Sequence, residues 1–332
     1  MNIRNRRQIK TFAAQRLEGI QSLGKILVIF CGLTLGLTGM MTVVNYLLDL
    51  QMEGLTGLSS IGKRTMLSTL QSMLPLALSM FTMCLEAGYL AAMMRIARGQ
   101  YVSEQTLRLG FDRFWVLMRC MIFKTIRYMI TLCLCVYVGV LIFMNLPISQ
   151  PAMDILQPYV AQMSVLSGQI VLDDAAYAQF SQVVWPVYII CGALAAVGII
   201  PLWYSYRMCT YIIIDKPAMG ALAVMRESKQ MMRKNRFALL KLDVSYWWYH
   251  LLIFFAQAVC YGDVILPMLG VTLPGSEELW YFVFMAAYLV VLFAAYYFLR
   301  SRVEVGYALA YDALKPEEKQ NDGVVLGNIF QM

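Results

Sequence analysis

Six stretches of this chain are apolar enough, and close enough to 20 residues, to cross a bilayer as helices: 26–48, 66–94, 128–146, 183–206, 242–261 and 279–299. The polar residues between them are not spread evenly. Residues 1–23 carry Arg4, Arg6, Arg7, Lys10 and Arg16, while Ile9, Phe12, Ala13, Leu17 and Ile20 recur at helical spacing. This predicts a basic amphipathic helix lying on the inner leaflet. A secretory signal fits poorly, because the run from Ile26 to Leu48 is too long and no small-x-small site follows it. A second basic connection covers Tyr101–Arg127, with Ser103 and Glu104 as a helix start.

The third basic connection organises the pattern. An apolar run ends in Trp203, Tyr204 and Tyr206, and a polar segment then leads to Trp247 and Trp248. Asp215 before Lys216 and Pro217 predicts an N-cap with proline in the first turn of a surface helix over 217–236. Ala218, Ala221, Leu222, Met225 and Met232 fall on one face of that helix, and Arg226, Lys229, Arg233 and Lys234 avoid it. The other connections, 49–64, 147–182 and 262–278, are short or proline-containing, and a polar tail follows Leu314. The second and third basic connections share a plan of span, surface helix, span. Their sequence identity is too thin to define a repeat.

The pattern therefore predicts an all-α fold: a polytopic helical membrane protein of six transmembrane helices, with basic amphipathic helices on the cytoplasmic surface. Its expected parts are an amphipathic segment 1–25, a membrane domain 26–314 and a tail 315–332. Composition agrees, with 60% hydrophobic and only 14% charged residues and a mean hydropathy of +0.62. Charge adds the orientation. Lys63 and Arg64 lie in the connection 49–64, and the other 25 of the 27 lysines and arginines lie in 1–25, 95–127, 207–241 and 300–332. The positive-inside rule then puts both termini in the cytoplasm of a plasma-membrane protein. The net charge of +7 points to anionic inner-leaflet lipid as a partner rather than to nucleic acid.

Candidate chemistry is sparse. The eight cysteines lie in or beside apolar runs without CxxC spacing, and read as small reduced core residues. The single histidine, His250, excludes multi-histidine metal sites, and no GxSxG elbow is present. The segment from Gly57 to Arg64 resembles the start of a phosphate loop, but Arg64 stands where a magnesium-holding Ser or Thr belongs. No cofactor, metal or catalytic residue is expected. Gly32 and Gly36 form a GxxxG pattern, expected to serve packing within the chain. Asn45, Asn145 and Gln257 are expected to hydrogen-bond between helices. Glu86 is the one acid well inside a span, and pairing with Arg119 or Lys124 is expected ahead of a proton or substrate role. Ser228 and Asn235 are expected to bond to the inner ends of spans four and five, and Asp243 to meet Arg207 there, so that the surface helix clamps the two spans.

Residues 199–248 also carry a resemblance. Pro201, Tyr206, Arg207, Met208, Tyr211, Asp215, Pro217, Ala223, Glu227, Ser228, Met231, Met232, Asn235, Arg236, Leu242, Asp243, Ser245 and Trp248 look like the bacterial membrane proteins grouped as domain of unknown function 975. Weaker matches lie at Ile9, Lys10, Ala14 and Leu17, at Arg98, Gly99, Val102, Ser103 and Phe111, and at Tyr307, Tyr311 and Leu314. Arg233 and Lys234 depart from the lysine-glycine pair that the family tends to have there. The resemblance implies a helical integral membrane protein, common in Gram-positive bacteria, and no activity. The expected function is a non-enzymatic interaction or envelope-homeostasis module, with a protein partner at helix 217–236. The alternative is a small transporter or exporter, or a subunit of one.

Overall fold

A computed structural model describes residues 6–18, 20–55, 60–151, 154, 174–268, 274 and 277–315. Most of the expected loop 147–182, including Pro158 and Asp173, lies outside the described residues. So do Gly275, the tail beyond Lys315 and the stretch 57–59 of the phosphate-loop look-alike. In chain order the helices are α1 (Arg6–Leu17), α2 (Gln21–Glu53), α3 (Ile61–Ala97), α4 (Leu109–Asp112), α5 (Phe114–Met144), α6 (Asp174–Tyr206), α7 (Cys209–Asp215), α8 (Ala221–Met232), α9 (Arg236–Ser245), α10 (Trp247–Cys260), α11 (Gly262–Met268), α12 (Glu277–Ala295) and α13 (Ser301–Leu314). A 3-10 turn, Glu104–Arg108, precedes α4, and a π-helical turn, Tyr296–Arg300, joins α12 to α13. No strand occurs among the described residues.

The protein is an all-α polytopic membrane protein. Five helical stretches among the described residues are long and apolar enough to cross a membrane: Ser22–Met52, Gly62–Ala97, Phe114–Met144, Val184–Asp215 and Leu279–Leu314. The remaining expected span, 242–261, is divided between α9 and α10 at Tyr246. The 14 residues of α10 rise only about 21 Å at 1.5 Å per residue, against about 30 Å of hydrocarbon. Tyr246 is buried at the break, and its ring meets Tyr307 edge-on at 6.1 Å. Several helices outrun the apolar runs that announce them. Arg119, Lys124 and Arg127 sit on α5, because nothing in the sequence breaks the helix where the apolar run stops.

Two compact units divide the chain. The smaller, Met121–Arg207, packs α5 on α6 through small residues: a Cβ on Gly139 would crowd Cys191, and one on Gly198 would crowd Cys135 and Thr131. Within it Arg127 donates to the Tyr206 hydroxyl.

The larger unit, Met1–Cys120 with Met208–Met332, holds most of the buried core. Phe30 and Tyr89 stack at 4.3 Å, and Met208, Ile212, Val224, Met225, Met232, Leu239, Leu242 and Val305 are fully enclosed. At the end of α3, Gly99 turns the chain with φ +71°. The Gly99 amide donates to Ile96 and the Gln100 amide to Arg95, satisfying two carbonyls that the helix end leaves open. The segment 107–110 then crosses α3 at backbone contact. A Cβ on Gly88 would overlap the Leu107 carbonyl, and one on Gly110 would overlap the Cys84 carbonyl. Gly110→Ala is expected to cost at least the about 1–3 kcal/mol typical of overpacking, because neither obstacle is a flexible side chain. Thermal unfolding in detergent reads this as a lowered midpoint.

Three expectations about packing are corrected. A Cβ on Gly32 or Gly36 would meet open space, so the GxxxG pattern packs against nothing within the described residues. The apolar face of α1 is taken up in part by the protein itself: Ile9 and Ala13 are fully buried where α1 packs on α13 and α3, while Phe12 stays exposed. Leu222 and Ala218 are exposed rather than on the buried face of α8, which is formed by Ala221, Val224, Met225, Ser228, Met231 and Met232.

Candidate functional site

The polar residues of the larger unit converge on one stripe. Arg300, Glu304, Tyr307 and Tyr311 follow one another at spacings of four, three and four, which places them on one face of the helix that ends the membrane domain. The π turn just before α13 sets where that face points, and such turns are frequent at functional sites.

At the deep end is Arg300. Its guanidinium lies 4.9 Å from the Phe30 ring, 5.4 Å from Tyr89 and 4.5 Å from Tyr296. One amino group donates to Glu86 at 3.1 Å, and Nε is 3.8 Å from Glu304. Arginine suits this place, since its flat delocalised cation stacks on aromatic faces and is weakly hydrated. The Arg300 side chain is 10% exposed and that of Glu86 is 49% exposed, so the protein encloses the cation and leaves its counter-ion half-covered. The Tyr89 hydroxyl, in the same cage, is buried with no hydrogen-bond partner among the described residues. Glu304 also accepts from the Tyr211 hydroxyl at 3.0 Å.

At the shallow end is Asp215. Its carboxylate takes Arg98 at 2.9 Å, the Lys315 ammonium, and the Tyr311 hydroxyl at 3.0 Å. Arg98 bridges onward to both oxygens of Asp312, at 2.7 and 3.1 Å. These hydrogen bonds raise the Arg98 pKa above its ordinary value, so the guanidinium stays charged. Between the two ends, Tyr307 donates to buried Asp243 at 2.6 Å. Lys10 of α1 donates to the Ser245 carbonyl and lies over the Tyr246 ring. Burial, with Arg6 nearby, lowers the Lys10 pKa.

The expected positions are thus partly united. Glu86, Asp215, Asp243 and Ser245 all meet residues of α13, its flanks or α1. Glu86 pairs with Arg300, not with Arg119 or Lys124: the second basic connection crosses α3 on the face of Cys84 and Gly88, and Glu86, midway between them in sequence, points to another face, where it meets Arg300. Asp215 does not cap α8. It closes α7, its carboxylate is taken by three donors, and α8 starts at Ala221 behind an extended Gly220. Ser228 is fully buried in α8. Asn235 bonds to the Met231 carbonyl one turn back. Arg207 belongs to the smaller unit, where its guanidinium lies 4.5 Å over Trp203. Asn145 bonds within its own helix, to Leu141, whereas Gln257 does reach across helices, to the Tyr288 hydroxyl.

Sequence reasoning missed Arg300, Glu304, Asp312 and Lys315, and named Arg98 only as part of the resemblance. The periodic placement of Arg300, Glu304, Tyr307 and Tyr311 was the signal that could have found the stripe. Among the described residues no three His, Cys, Asp or Glu side chains are grouped to hold a metal, and all eight cysteines are free thiols. Comparison with protein-family models, with curated proteins and with solved structures finds no match to this chain.

Proposed function

We propose that this protein is a non-enzymatic interaction or envelope-homeostasis module of the plasma membrane, with both termini in the cytoplasm, whose 217–236 connection presents a fixed basic surface. The observation that carries the reading is the two-faced setting of α8. Val224, Met225, Ser228, Met231 and Met232 lock one face into the core of the larger unit. Arg226, Lys229, Arg233 and Lys234 stand exposed on the other. A helix anchored in this way holds its charges in register, and each cation near an anionic membrane surface contributes about 1 kcal/mol. Phe237, Leu240 and Val244 continue outward from it as an exposed apolar row, suited to the lipid boundary. The resemblance to domain of unknown function 975 is in keeping with this reading and brings no activity with it.

Orientation comes first among the tests. Reporter fusions at Pro158 and Gly275 are expected to read outside, and one at Lys229 inside; an inside signal at Pro158 removes the six-span topology. With that established, charge reversal at Arg226, Lys229 and Arg233 is expected to strip the co-purifying acidic partner or anionic lipid from the protein in mild detergent. Unchanged co-purification would remove the surface from consideration.

One observation favours transport as a second reading. Glu86 is half-exposed beside the enclosed Arg300, and ionisable residues inside spans commonly mark substrate or proton paths. Glu86→Gln separates the readings: the interaction module loses stability or abundance, and a transporter loses flux while staying folded.

A further inference from the structure

Several charges of opposite sign that meet in the larger unit are paired: Arg98 with Asp215 and Asp312, Lys216 with Glu227, Arg300 with Glu86. In one groove, among the described residues, charges of both signs line the wall unpaired. Between the end of α1 and the 99–105 turn lies an open groove of about 1190 Å³ whose lining includes Arg16, Glu18, Lys25, Gln100 and Glu104. Among the described residues these two cations and two anions make no ion pair. Gly99 turns the chain with a positive φ, and the Arg16 guanidinium lies close over this turn, so that both ends of the groove are in contact. Its position is at the membrane boundary, since Lys25 stands in the first turns of the span Ser22–Met52 and the 99–105 turn directly follows the span Gly62–Ala97. Tyr101 projects from it 85% exposed, as aromatic residues do at the headgroup level.

We infer that this groove binds the headgroup of a zwitterionic phospholipid carrying a phosphate and a primary ammonium, as in phosphatidylethanolamine. Arg16 and Lys25 supply donors for the phosphate, the arginine as a planar fork suited to two oxygens. Glu18 and Glu104 accept from the ammonium N–H groups. A quaternary ammonium has no N–H to donate, and a glycerol headgroup has no cation, so both are disfavoured. The carboxamides of Gln15 and Gln100 are free to meet the ester region. The assignment needs the groove to lie at a membrane surface and does not depend on which leaflet that is or on any protein partner.

The test is lipid retention by the full chain. Protein in detergent is offered equal amounts of phosphatidylethanolamine, phosphatidylcholine and phosphatidylglycerol, and bound lipid is counted by native mass spectrometry. Phosphatidylethanolamine is expected to dominate. R16Q/K25Q is expected to lower its retention about tenfold, the loss of one to two charge-assisted hydrogen bonds. E18Q/E104Q is expected to keep phospholipid bound while erasing the preference over phosphatidylcholine. All four side chains are exposed, and unfolding curves check that each variant keeps its fold. Equal retention of the three lipids by the unaltered chain overturns the proposal, even if a variant fails to fold. So does wild-type retention by both variants. Soluble O-phosphoethanolamine binding as tightly as the lipid would assign the groove to a free metabolite and overturn the lipid assignment.

Discussion

Arg300→Met is expected to lower stability by about 3–5 kcal/mol, the usual loss when one member of a buried ion pair is removed. Three contributions act together. Glu304, only 17% exposed, is left beside an apolar side chain without its neighbouring cation. Glu86 loses its hydrogen bond. Three aromatic faces lose a cation, and each such contact contributes between about 0.5 and 2 kcal/mol as desolvation increases. Glu86→Gln should cost less, since its carboxylate stands half in the open. The double variant should then be less harmful than the sum, and urea or thermal unfolding in detergent measures the difference as a coupling energy. Additive losses would mean that Arg300 is held by the aromatic cage alone. Arg300→Lys is informative as well: it keeps the charge but not the flat face, and is expected to recover less than half of the loss.

Asp215→Asn is expected to cost about 3 kcal/mol or more, because it withdraws the charge that Arg98 and Lys315 share. A helix cap at the same position would lose only about 1 kcal/mol. The size of the effect therefore separates the two roles without any structural measurement. A second comparison sharpens this. Tyr311→Phe removes one hydrogen bond to the same carboxylate and leaves the ring stacked on Tyr211 at 5.6 Å. It is expected to cost about 1 kcal/mol. If Asp215→Asn proves no worse than Tyr311→Phe, the ion-pair account of this end of the stripe fails.

The membrane-protein class and all five of the long apolar helices were legible because hydrocarbon imposes a length and a composition that read directly off the chain. The helix ends were less so. An apolar run marks where lipid begins, but α5 continues through Arg119, Lys124 and Arg127, since backbone hydrogen bonding is indifferent to which solvent surrounds it. The Asp-Lys-Pro sequence at 215–217 is a fair local signal for a helix start. It was overridden by three donors supplied from positions 98, 311 and 315, which no local pattern shows. Glu86 was singled out correctly as an exceptional residue, yet its partner lies 214 residues away. Choosing Arg300 over Arg119 required knowing which helix packs beside α3. The stripe itself was visible in principle, but Arg300 enters the sequence reading only as one of the basic residues of 300–332, and Glu304 does not enter it at all.

That 214-residue separation sets a timetable for synthesis. At about 5–20 residues per second, a ribosome needs roughly 10–40 s to travel from Glu86 to Arg300. Throughout this interval the early spans are in the bilayer with a carboxylate that has no counter-ion, and the seat for α13 stands empty. The nascent chain needs the site shielded until the arginine arrives, as an insertion factor would do. Chains halted before residue 300 would stay in that exposed condition, which gives membrane quality control a simple mark by which to tell an unfinished copy from a finished one.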